Sequence, residues 1–122
     1  MNEIYDLTNK RGINQALEIF KKYGWILNPI PWLIYKSFSQ QVTTEKQVET
    51  ALKIIETARI NNAKNLKLKI NNSAALKLGT LLKGFPLSFG LENSGNMEIE
   101  INFDEINREN ITILSEALKK YQ

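Results

Sequence analysis

The 122-residue chain contains no cysteine and no histidine. Without cysteine there is no disulfide, no thiolate nucleophile and no Cys-ligated zinc or iron–sulfur centre. Without histidine the commonest general base and the commonest metal ligand are both missing. Acids and hydroxyls would have to do all the work of an enzyme, and none of the serines has an imidazole to activate it. A metal would find only oxygen ligands, which favours magnesium or calcium over zinc. The expectation is therefore a non-catalytic protein with no cofactor.

Long hydrophobic runs are also lacking. The longest mainly apolar stretch, Trp25 to Tyr35, is broken by Asn28, Pro29 and Pro31 and is too short to span a bilayer. Met1 to Lys10 carries acids and polar residues rather than a basic segment followed by an apolar one, which argues against a signal peptide and for a cytoplasmic protein with no membrane contact. There is no repeat, low-complexity tract or linker. The 43% hydrophobic and 24% charged composition is that of a globular protein. One domain, 1–122, is expected, with the option of a helical subdomain 1–62 packed on an α/β subdomain 63–122.

The hydrophobic spacing predicts the elements in order. Ile13, Ala16, Leu17, Phe20 and Tyr23 give an amphipathic helix over Asn9–Tyr23, and Trp32–Ser39 gives a short one after Pro31. Thr44 with Gln47 fits a capping box for a third helix, ending near Asn61-Asn62. At Asn65–Ile70 the period becomes two, with Leu66, Leu68 and Ile70 on one face and Lys67 and Lys69 on the other. Asn72 or Ser73 caps a helix to about Lys83, with Ala75, Leu78, Leu81 and Leu82 inside and Gly84 after it. Leu87–Leu91 and Met97–Phe103 flank a turn and predict a hairpin. The last helix, Arg108–Lys120, places Ile111, Leu114, Ala117 and Leu118 inside.

The fold class expected is α+β: N-terminal helices, then a β-α-β-β-α unit whose three-stranded sheet has the order 1-3-2 and is covered on one face by helices. Charge supports that order. The net +3 conceals six basic residues and no acid between Thr57 and Leu91, followed by seven acids and one base between Glu92 and Glu116. In the order 1-3-2, Lys67 and Lys69 lie beside Glu98 and Glu100, and each opposite-charge pair is worth roughly 0.2–1 kcal/mol.

Two surfaces are candidate contact sites. Trp25, Trp32, Tyr35 and Phe38 crowd one short segment, and a helix with four successive large apolar residues cannot bury them all on one face. This aromatic surface suits a protein partner or a second copy of the chain, so the first expectation is a non-catalytic interaction or regulatory module. The alternative is a nucleic-acid-binding accessory protein using Lys64, Lys67, Lys69, Lys77 and Lys83. Lysine outnumbers arginine 13 to 3, and arginine is the residue suited to bidentate phosphate recognition. Glu98 and Glu100 read as a strand face rather than an acid/base pair. Asp104, Glu105 and Glu109 suit a helix start. The Gly79–Gly84 segment lacks the order of a phosphate loop.

Overall fold

Side chains at the element ends set where each element begins. The computed structural model describes residues 4–9, 11–15, 18, 43–91 and 96–121. Strand β1 (Ile4–Asp6) ends in a turn held by Asp6, whose carboxylate accepts the backbone N–H and hydroxyl of Thr8 and the side-chain amide of Asn9. Asn9 in turn accepts the Gly12 N–H at 2.8 Å and so caps the helical residues 11–15. Gly12 is buried against this turn, and a Cβ there would collide with the Asp6 carbonyl oxygen.

Helix α1 (Thr44–Ile60) is capped by Thr43, which accepts the Lys46 N–H. The capping box expected from Thr44 and Gln47 is corrected accordingly. Gln47 is buried and serves another purpose: its Oε1 accepts the backbone N–H of Asn71, 24 residues on. Asn61 closes the helix, and Asn62 turns the chain at φ 60°. Strand β2 (Asn65–Asn71) alternates as expected, burying Leu66, Leu68 and Ile70. Helix α2 (Asn72–Leu81) follows without a loop. Its cap is therefore the strand's last residue, Asn71, which accepts from Ala74 N at 2.7 Å, and not Asn72 or Ser73. Gly84 turns the chain at φ 91° before strand β3 (Leu87–Leu91). Strand β4 (Asn96–Asn102) leads through a 3-10 turn to helix α3 (Arg108–Lys119). A reciprocal capping box between Asn107 and Asn110 starts α3, and the Asn110 side chain donates to the Gly84 carbonyl at 2.9 Å.

The fold is mixed α+β, but the sheet has four strands in the order β1-β2-β4-β3, which corrects the expected three-stranded 1-3-2 sheet. The missing strand is β1, three residues long and parallel to β2, with Tyr5 opposite Leu68 and Asp6 opposite Lys69. Three residues are too few for alternation to be read. The other pairings are antiparallel: Leu68 faces Ile99 between β2 and β4, and Phe89 faces Ile99 between β3 and β4.

Helices α1, α2 and α3 pack on one another, and α1 and α2 pack on β2. The core between helices and sheet joins Tyr5, Leu68, Ile70 and Ile99 to Val48, Leu52, Ile55, Leu78 and Leu114. Ile111, expected inside, is 37% exposed. It lies one turn before Leu114, at the margin of the face that α3 buries. Among the described residues no helix is long and apolar enough to cross a membrane.

Candidate functional site

Of the residues singled out in the sequence, Trp25, Trp32, Tyr35 and Phe38 lie outside the described residues. The five lysines do not share one face. Lys67 and Lys69 stand on the sheet face turned away from the helices, directly across from Glu100 and Glu98, and Asp6 flanks Lys69 on its other side. Lys64 is exposed in the loop before β2, and Lys83 is exposed after α2. Lys77 lies on α2, in the helical layer, ion-paired with Glu45 of α1.

Glu45 also accepts the Tyr121 hydroxyl at 3.1 Å, and the Lys77 ammonium lies 5.9 Å from the Tyr121 ring centroid. Three elements far apart in sequence meet here: the first turn of α1, the middle of α2 and the chain after α3. The Lys77 hydrogen bond holds the Glu45 carboxyl below its ordinary pKa. Glu45 in return raises Lys77, and burial raises the Tyr121 phenol. The cluster links the three elements at the surface, where the Lys77 and Glu45 side chains are 41% and 58% exposed, and its polar groups are turned to one another.

A different feature stands open. Leu76, Gly79 and Thr80 of α2, with Lys83 beyond its end, form one wall of a groove of about 750 Å³; Phe89 of β3 and Met97 of β4 form the floor. Leu76 is 76% exposed and Phe89 46% exposed, both large for apolar side chains in a folded domain. The cause lies in the topology. Phe89 points to the helix face with its partner Ile99, but β3 is the outermost strand and α2 covers only the inner part of the ring. α2 meets the ring at Gly79, where a Cβ would stand in ordinary contact with Phe89 Cζ, at 3.4 Å.

The backbone beside the groove is open as well. The Asn102 N–H bonds to the Pro86 carbonyl, and pairs alternate along an antiparallel ladder, so Ser88 and Gly90 bond to β4 while Leu87, Phe89 and Leu91 turn their N–H and C=O groups outward. The Leu87 N–H is taken by the Phe85 carbonyl at 2.7 Å. Among the described residues no strand pairs with the outer side of β3.

Alternation along Leu87–Leu91 identifies the face of Phe89 in the sequence. It does not reveal that the face lies beyond the reach of α2, and the groove is missed for that reason. An exposed leucine at position 76, off the Ala75–Leu78–Leu82 stripe, is the one signal that could have found it. Among the described residues no group of three or more acids could hold a metal ion. No protein-family model, no curated protein and no solved structure matches the chain.

Proposed function

We propose that the chain is a non-catalytic, cytoplasmic interaction module, and that its contact surface is the groove between α2 and the edge strand β3. One observation carries this reading: two large apolar side chains, Leu76 and Phe89, are exposed across a groove beside a strand whose outer side pairs with no other strand among the described residues. Strand edges of this kind recruit extended chain, with main-chain hydrogen bonds giving affinity and the adjoining groove giving side-chain specificity. The lysine-rich alternative draws less support. Lys67, Lys69 and Lys77 each face a carboxylate, an arrangement that serves internal pairing better than phosphate binding.

The test is photo-crosslinking in the cell of origin, with the photoreactive residue at position 76 or 89 and, as control, at the exposed position 105. The reading expects a discrete protein adduct from 76 and 89 and none from 105. No adduct from either groove position would overturn it.

A further inference from the structure

We infer that the occupant of this surface is a second copy of the chain, joined by antiparallel pairing of β3 with β3 about a twofold axis at Phe89. The inference rests on reading the α2–β3 groove as a contact surface and identifies the partner. Three observations lead to it.

First, β3 is an edge strand among the described residues, and its own sequence offers no protection. Proteins blunt strand edges with charges, proline, bulges or extreme shortness. The opposite edge does so: β1 is three residues long, carries Asp6 and ends in the turn that Asp6 holds. The sequence Leu87-Ser88-Phe89-Gly90-Leu91 has no charge and no proline, and it pairs with β4 without a bulge. Such an edge is a template for another strand.

Second, the strand is self-complementary. A twofold interface requires one surface patch to match itself. Leu-x-Phe-x-Leu reads the same in both directions, and an antiparallel partner centred on Phe89 sets Leu87 against Leu91 of the second copy. The outward backbone groups fall in the right phase. Phe89 of each copy exchanges N–H···O bonds with Phe89 of the other, and each Leu91 N–H meets the Leu87 carbonyl across the axis. The Leu87 N–H, which such a ladder would otherwise also use, is already satisfied by Phe85. Ser88 and Gly90 are the residues on the opposite face, small enough to let two sheets meet edge to edge.

Third, the groove fits the occupant. Pairing about Phe89 brings the two phenylalanine rings side by side on the helix face, between the two copies of Leu76. The surface exposed at both residues is then covered by the same residues of the second copy. The two four-stranded sheets become one continuous eight-stranded sheet.

The experiment is sedimentation velocity of the full chain across roughly 1 µM to 1 mM, the span in which modest interfaces associate. Three variants are compared with it: Phe89→Lys, which sets like charges on the axis; Leu91→Pro, which removes an outward N–H while leaving the β4 ladder intact; and Glu105→Lys as a distant control. Circular dichroism checks that each folds. The inference expects a species of twice the chain mass in the wild type and the Glu105→Lys variant. In the Phe89→Lys and Leu91→Pro variants it expects only monomer over the same range. A wild type that is monomeric throughout, or a dimer that survives both β3 variants, would overturn it. The photo-crosslinking separates the two claims: an adduct at twice the chain mass supports both, an adduct of another mass retains the interaction surface and refutes the second copy, and no adduct refutes both.

Discussion

At the scale of single residues, Gly12 sits where the backbone passes very close to another part of the chain. A methyl group there meets the Asp6 carbonyl oxygen, a backbone atom that cannot swing aside. Gly12→Ala should therefore destabilise the chain by about 1–3 kcal/mol, as overpacking at a closed site does; urea unfolding measures it, and an unchanged midpoint would contradict the close approach. The Glu45–Lys77 pair makes a prediction of direction only. Glu45 has a folded pKa below its unfolded value, so its contribution is present above the ordinary carboxylate range and is lost as pH falls through the lowered value. Lys77 is raised, so its contribution is present below the ordinary ammonium range and is lost as pH rises through the raised value. An NMR titration of the Glu45 carboxyl should give a lower midpoint in the wild type than in Lys77→Met. Equal midpoints would show that the pair does not form in solution.

At the scale of elements, the strand register sets opposite charges side by side on the sheet face turned away from the helices. In register, Lys67 faces Glu100, and Lys69 stands between Asp6 and Glu98. Lys67→Glu should destabilise by placing like charges across the strands. Adding Glu100→Lys should restore about 0.2–1 kcal/mol. A double variant no more stable than the sum of its parts would mean the register is not electrostatically coupled. This ladder was legible in the sequence because period two and opposite charge agree at Lys67, Lys69, Glu98 and Glu100. The strand β1 was not, since three residues carry no period and their partner lies some sixty positions on. The sequence pattern offers Asn72 or Ser73 as the cap of α2, one or two residues late, because Asn71 ends β2, caps α2 and bonds to Gln47 at once, and a pattern assigns a residue one role. The groove was illegible for a related reason. Alternation tells which face Phe89 occupies, whereas its exposure depends on where α2 stops covering the sheet.

At the scale of the whole molecule, the two sheet edges differ in kind. The β1 edge is short and carries a charge, while the β3 edge is uncharged, runs five residues and adjoins an apolar groove. Leu82 and Phe85, in the chain just before β3, and Ile101, opposite Leu87 on β4, are buried. Among the described residues no strand pairs with this edge, and an unpaired edge of this composition gains hydrogen bonds and buried area by meeting another strand. The most direct measurement is amide hydrogen exchange along β3 as the concentration of the purified chain is raised. Ser88 and Gly90 bond within the sheet and serve as internal references. Phe89 and Leu91, whose N–H groups point outward, should be unprotected in dilute solution and become protected on concentration, approaching Ser88 and Gly90. If Phe89 and Leu91 exchange freely at every concentration while Ser88 and Gly90 stay protected, β3 remains an open edge and the pairing of two copies is refuted.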